Sequence, residues 1–508
     1  MATMSELAEV RAELARLEKQ EQQLVEQLHY ARTSIRQQRK KIDELVRRLP
    51  SPIDRVPNEI LLRILELCLQ YTHNYCSQRK MLACVSHRWM DIMMNSSSLW
   101  TTIRITPTWS ASAVKAHVTN SCQSSLEIEI YSWDFGGDDE KRLPAMLDVL
   151  LSCAHRWMSL VIHGVRASCL HMILKGMAQK MFPSLRHVSI KDVFPRGISE
   201  PISQFCSGNY PQLKHLELEE GLNASSNFQF PPSLTSLSLH LCTKEPSSIF
   251  QQLALQKLTI LTLNGFVKSL PLGPNSIYFP LLEEFVCRIS EGEVLMRAIV
   301  APKLISFSYS PPPNCNNLRV ETDMFNTSTH KFPNVTSLVL VDVTFVDCTE
   351  AFPIAFPAVR NLVLDSQGTI SLFRPRNDLP NTVYLPHLKT LTVHGLNIDS
   401  AYSLGGRVAC WLERRRNMGL PKLLVKFLFA SDALYGPWVM LVIHGMLHEY
   451  CFLEWENVSL GDRVVFSGTI DESLWLVRTF YPVSIEIDVS SHRTRCGQRY
   501  QDTMANRE

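Results

Sequence analysis

The chain has 508 residues, 45% of them hydrophobic and 20% charged, the balance of a folded globular protein and not of a disordered one. Its 51 Lys and Arg stand against 49 Asp and Glu, a net charge of +2. That excess is too small to neutralise a run of phosphates, which excludes nucleic acid as the main partner.

The start, MATMSELAEVRAELARLEKQ, is charged and helical where a secretory signal needs an apolar core. The most apolar stretch, Trp438 to Met446, is broken by His444 and Gly445 and falls short of the ~20 residues that cross a bilayer. Fourteen cysteines are scattered with no C-x-x-C pair, as in thiols kept reduced inside a cell. The expectation is an intracellular protein, cytoplasmic or nuclear, without disulfides, metal, cofactor or membrane contact.

Residues 4–49 read as a coiled-coil helix. Leu7, Leu14, Glu21, Leu28, Ile35, Ile42 and Leu49 recur every seven positions, and Val10, Leu17, Leu24, Ala31, Gln38 and Leu45 follow three residues behind. Only Glu21 and Gln38 interrupt the seam, and Pro and Gly are absent. A seam about 65 Å long needs cover, from a second copy, from an accessory helix or from the chain's own body. Pro50 and Pro52 end the helix.

Residues 50–105 read as a small helical module. A helix begins at Pro57, with Glu59 favouring its N-terminus. Ile60, Ile64 and Leu67 form one stripe and Leu61, Leu65 and Cys68 the next, so it is apolar over more than half its circumference. A second apolar piece, Met81 to Val85, precedes Ser86 as a cap and then His87 to Met93, with Leu99-Trp100 closing the segment. A domain this small covers only part of its apolar surface by itself.

The ordered series Val56-Pro57, Glu59-Ile60-Leu61, Ile64, Val85-Ser86-His87-Arg88-Trp89 and Leu99-Trp100 resembles an F-box. That family holds the Skp-type adaptor of cullin-RING ubiquitin ligases. The resemblance implies that Val56, Pro57, Glu59, Ile60, Leu61, Ile64, Val85, Trp89, Leu99 and Trp100 bind the adaptor. Departures are Val56 for the usual leucine, Ser86 where many members have cysteine, and the polar stretch Gln70 to Lys80, which lengthens the first connection. The competing reading is a helical cap on the domain that follows.

Residues 106–435 repeat a unit Pro-x-Leu-x-x-Leu-x-Leu. Its first apolar residues are Leu185, Leu213, Leu234, Leu258, Leu282, Leu304, Val335, Val359 and Leu388, separated by 28, 21, 24, 24, 22, 31, 24 and 29 positions. Most of these steps lie within the leucine-rich repeat range of about 20 to 29 residues. A proline stands two residues earlier in eight of the nine copies and reads as a strand entry. Fainter copies at Ser125, Trp157 and Leu424 extend the array to ten to twelve turns.

The fold class expected is α/β: a coiled-coil helix, a three-helix module and a solenoid with parallel strands on its concave face. The order resembles that of leucine-rich repeat F-box proteins, although the Asn or Cys ladder of regular repeats is missing. Residues 436–508 lose the repeat and read as a C-terminal cap and tail.

With the fourth and sixth places pointing inward, the third, fifth and seventh face the concave side. That assigns target binding to His187, His215, Glu217, Val286, Arg288, Val339, Val341, Val363 and Asp365, alongside Ser189, Lys191 and Glu219. The plainer reading of Val339 and Val363 is β propensity on an exposed face. Two long connections, Pro311 to Lys331 and Ser366 to Tyr384, are further places for binding.

No nucleophile elbow, zinc helix, phosphate loop or dinucleotide fingerprint occurs. The function expected is therefore that of a non-enzymatic substrate receptor, joining a cullin-RING ligase through its adaptor and holding a target protein on the repeats. The alternative is an interaction scaffold unconnected with any ligase.

Overall fold

The computed structural model describes residues 2–48, 52–70, 75–133, 140–194, 205, 208–218, 230–241, 250, 253, 257–267, 270–312, 318–321, 332–346, 351–373, 385–396, 398–429, 436–457 and 462–466. The chain divides into two compact units, Met1–Leu99 and Trp100–Glu508. Among the described residues, no helix is long and apolar enough to cross a membrane.

In the first unit the heptad sequence forms one uninterrupted helix, α1 (Ala2–Arg48). Pro57 opens α2 (Asn58–Gln70) by accepting the Leu61 N–H at 3.0 Å on its carbonyl. The polar stretch after α2 is not all connection, because most of it builds α3 (Tyr75–Ala83). Within α3 Arg79 is buried and donates to the Leu99 carbonyl, and Gln78 Nε2 reaches the Cys68 carbonyl at 3.2 Å. Residues 71–74, where the lengthened connection was expected, lie outside the described ones. Ser86 caps α4 (His87–Asn95), its hydroxyl accepting the Trp89 N–H.

Among the described residues, the second unit is built on a 15-stranded sheet. Its strands are β1 (Thr102–Ile105), β2 (Leu126–Trp133), β3 (Trp157–Arg166), β4 (His187–Phe194), β5 (His215–Leu218), β6 (Ser236–Leu241) and β7 (Ile260–Gly265). They continue, around the short pair β8 (Ile277–Tyr278) and β10 (Ile299–Val300), with β9 (Glu284–Ile289) and β11 (Ser306–Tyr309). A second short pair, β12 (Leu318–Glu321) and β14 (Val343–Val346), flanks β13 (Ser337–Leu340). The sheet then runs through β15 (Asn361–Asp365), β16 (Thr390–His394), β17 (Leu424–Phe429), β18 (Phe452–Asn457) and β19 (Asp462–Phe466). The strands of the large sheet lie side by side in sequence order. Every neighbouring pair is parallel except β18 and β19.

The parallel sheet thus starts earlier and ends later than the repeat seen in the sequence. Residues 102–105 already form a strand, and the segment after 435 adds a helix, Gly436–Leu447, and one more parallel strand before the antiparallel β19 closes the row. The segment from Thr494 onward lies outside the described residues.

Alternation sets the core. In register, Ile128, Leu160, Val188, Leu216, Leu237, Leu261, Phe285 and Phe307 form one buried row, and Ile130, Ile162, Ile190 and Leu218 begin the next. Both rows point to the same side of the sheet. Helices α5 (Ala111–Asn120), α6 (Leu143–Leu151) and α7 (Ala167–Ala178) supply the first three crossovers between parallel strands.

The recurring proline is not a strand entry. It occupies the second place of a tight turn in which the first apolar residue donates its N–H to the carbonyl of the residue before the proline. Leu185 bonds Phe182 at 3.3 Å, Leu304 bonds Ala301 at 3.1 Å, Val335 bonds Phe332 at 3.3 Å and Leu388 bonds Leu385 at 3.1 Å. The pre-proline side chains are buried and form a second spine. Phe182 stacks on Tyr210 at 5.4 Å and Phe332 on Phe356 at 5.5 Å, with Phe307 of β11 joining the latter at 5.8 Å from Phe332.

Candidate functional site

Two surfaces, one in each unit, carry the residues singled out above. On α2 the two apolar stripes part company. Leu61, Leu65 and Leu69 are at most 1% exposed and face α3 and α4, whereas Ile60, Ile64 and Leu67 are 54%, 37% and 39% exposed. The outer three are spaced four and three residues apart, so they share one face of the helix. Met81, Val85 and Met90 are exposed as well. A unit with so small a core shows an unusual share of its large apolar side chains to solvent.

Of the residues assigned to an adaptor, Val56, Pro57, Glu59, Ile60, Ile64 and Val85 are accessible. Leu61, Trp89 and Leu99 require correction: all three are buried in the module's own core, Leu61 on the α2 face that meets α3 and α4, Trp89 on α4 itself and Leu99 in the short turn of helix Ser97–Trp100 that follows it. They shape the surface from beneath. Trp100 falls in the second unit, where its ring meets His117 edge-on at 4.8 Å. Arg88, quoted above only as part of a motif, holds the start of α2: it donates to the Asn58 carboxamide, to the Ile53 carbonyl at 3.3 Å and to the Val56 carbonyl.

The second surface is the strand face opposite the buried rows. Its first five strands carry charge. Arg104 pairs with Glu129 across β1 and β2, and Thr102 donates to Glu127 at 3.0 Å. His163 Nε2 lies 2.6 Å from Asp192 and its ring 5.9 Å from Tyr131. Lys191 Nζ pairs with Glu217 at 2.8 Å, and the same carboxylate accepts from Ser189 at 2.8 Å. His187 and His215 are register partners with ring centres 6.3 Å apart, and His187 Nδ1 meets the Ser159 hydroxyl at 2.9 Å. Burial, then the neighbouring His215, holds the His187 imidazole below the ordinary histidine pKa.

Beyond β5 the same row loses its charge. Glu217 is followed in register by Ser238, Thr262, Val286, Ser308, Val339, Val363 and Thr392. Val286, Val339 and Val363 are partly exposed and share this line, as expected from alternation. Arg288 is exposed beside Asn264, and Val341 follows β13 with its N–H bonded to Tyr309. The row ends in charge again, where Lys426 pairs with Glu454 at 3.0 Å.

Asp365 is a correction. Its carboxylate accepts the Gly368 N–H at 2.9 Å and its carbonyl the Thr369 hydroxyl at 2.7 Å, so it caps the helix Ser366–Leu372 and is not free to meet a target. Burial raises its pKa despite the cap. Glu219, the third acidic candidate on this face, and residues 313–317, 322–331 and 374–384 of the long connections lie outside the described ones. Sequence reasoning missed Glu454, which is 3% exposed, because its strand was assigned to the cap.

Among the described residues no group of His, Cys, Asp and Glu is placed to hold a metal ion. The chain matches no protein-family model and no curated protein sequence.

Proposed function

We propose that the protein is a substrate receptor of a cullin-RING ubiquitin ligase, with the Met1–Leu99 unit holding a Skp-type adaptor and the strand face of the second unit holding a target protein. The observation that supports it best is the outward stripe Ile60, Ile64 and Leu67 on a helix whose neighbouring stripe, Leu61, Leu65 and Leu69, is wholly buried. It coincides with the F-box-like series Val56-Pro57, Glu59-Ile60-Leu61 and Val85 to Trp89. An apolar helix face left open on so small a module fits a standing partner. The parallel sheet, read as a leucine-rich repeat solenoid, supports the second half of the reading. It offers a line of hydroxyl and valine side chains flanked by ion pairs, a mixture suited to protein recognition.

The receptor performs no chemistry in this reading. It raises the effective concentration of target beside the ubiquitin-charged enzyme, which the ligase supplies.

The test is co-expression of the full chain with a Skp-type adaptor. Wild type co-purifies, and the paired exposed substitutions Ile60→Asp and Val85→Asp abolish this while leaving the thermal unfolding midpoint nearly unchanged. A soluble wild-type chain that never retains the adaptor overturns the reading in favour of a scaffold. Leu61→Ala marks the contrast: it removes core packing and costs roughly 2–5 kcal/mol of stability.

A further inference from the structure

Helix α1 runs unbroken over 47 residues. Its seam is bare: Leu14, Leu28 and Ile42 are 56%, 51% and 56% exposed. The two polar interruptions, Glu21 and Gln38, and the distribution of charge identify what covers it.

Charge is segregated along the helix. Residues 2–27 carry six acidic against three basic side chains, and residues 28–48 carry seven basic against two acidic. Two copies laid side by side in the same direction set acid against acid and base against base. They also face Glu21 with its own copy in one core layer, and they bring Glu13 against Glu18 of the other copy on the flank. Both contacts are between like charges, and the first is buried.

Reversing one copy removes these conflicts. The two kinds of seam position then face each other across the interface, and one register places the interruptions together. When Glu21 meets Gln38 of the second copy, the layers on either side become Leu17 with Ile42 and Leu24 with Ile35, all apolar. The Gln38 carboxamide donates to the Glu21 carboxylate, so each polar group entering the core has its partner. In the same register Glu18 flanks Arg39 of the other copy. Glu13 is engaged with Arg16 on its own helix at 2.7 Å, an exposed pair that contributes little to stability.

We infer that α1 is the interface between two copies of this chain, paired antiparallel with Glu21 of each opposite Gln38 of the other. A polar layer of this kind specifies direction and register, since any other alignment buries an unmatched group. The chains then leave the rod at its two ends, about 55 Å apart, and not together at one end. This inference does not rest on the ligase reading.

The test uses the full chain. Analytical ultracentrifugation at micromolar concentration gives the mass of two chains. Gln38→Glu sets two carboxylates face to face and raises the dissociation constant by roughly tenfold or more. Adding Glu21→Lys to it restores dimerisation, an outcome unique to the reversed pairing, because parallel copies would then carry two like-charged layers. Direction is read independently from a Leu14→Cys, Leu45→Cys double variant, oxidised and digested. A peptide joining position 14 to 45 must bridge two chains, since the positions lie about 46 Å apart along one helix. A monomeric wild type, or peptides joining 14 to 14 and 45 to 45, overturns the inference.

Discussion

Arg88 Nη2 donates to Asn58 Oδ1 at 2.7 Å, and its Nε reaches the same oxygen at 3.0 Å, so the third helix of the module fixes the first turn of α2 from 30 residues away. The same guanidinium also takes the Ile53 and Val56 carbonyls. A planar fork meets several acceptors at once in a way that an ammonium cannot. Arg88→Ala is expected to lower stability by about 1–2 kcal/mol, and Arg88→Lys to recover less than half of that, measured by urea unfolding. An alanine variant as stable as wild type would show that the hydrogen bonds do not hold the turn.

The turn and the spine separate cleanly by mutation. Phe332→Ala empties a site stacked between Phe307 and Phe356 and is expected to cost about 3–5 kcal/mol. Pro333→Ala keeps the turn's hydrogen bond and relaxes only the unfolded chain, a loss of roughly 0.4–1 kcal/mol. Equal losses in chemical denaturation would contradict the division of labour between them. Hydrogen exchange should show the Phe332 effect concentrated in β11, β13 and β15, since a repeat touches chiefly its neighbours.

Acid should weaken the second unit through two half-buried imidazoles. His187 and His394 both sit below the ordinary histidine pKa because of burial. A depressed imidazole binds its proton more readily when unfolded, so stability falls as the pH drops through about 6.5 toward the folded-state value. His187→Gln is expected to flatten that slope between pH 7 and 5. Asp365 runs the other way. Its raised carboxyl takes a proton more readily when folded, so its stabilisation is full below the ordinary aspartate range and is lost as the pH rises through the folded value. Asp365→Asn keeps a good cap, removes that loss and should match or exceed wild type at pH 7.

In the proposed reading, target capture depends on the neutral part of the strand face. Val286→Glu together with Val339→Glu adds charge to the valine and hydroxyl line without touching the core. Quantitative mass spectrometry of proteins retained from cells should show the wild-type set depleted, at an unchanged unfolding midpoint. A retained set identical to wild type would move the binding surface elsewhere.

Much of this architecture was legible because period two is a strong signal. Val188 and Ile190, or Leu216 and Leu218, announce their burial by alternation alone, and the outward line from Glu217 to Val363 follows from it. What was illegible depended on choices between chemically equal candidates. Leu61 and Ile60 are neighbours of one kind, and only the placement of α3 and α4 decides which is covered. Asp365 looked like any seventh-place side chain until the helix after β15 claimed its carboxylate. The aromatic before five of the eight prolines was in plain view, but its role needed the turn that folds it beneath the strand. Glu454 was lost because its strand lies past residue 435, in the segment read as a cap, where the Pro-x-Leu-x-x-Leu-x-Leu pattern does not recur.

That proline turn has a consequence for how such a protein can change. Six of the strands follow such a locally closed corner, at Leu185, Leu213, Leu234, Leu304, Val335 and Leu388, so alignment is set afresh at each of these copies and errors do not accumulate across them. The intervals between copies range from 21 to 31 positions, yet the partners across the sheet stay matched, with Leu239 against Leu263 and Leu340 against Leu364. Lengthening a return segment should therefore leave the neighbouring strands undisturbed. New recognition elements can be grown on one side of the molecule while the ladder that presents them keeps its rungs in place.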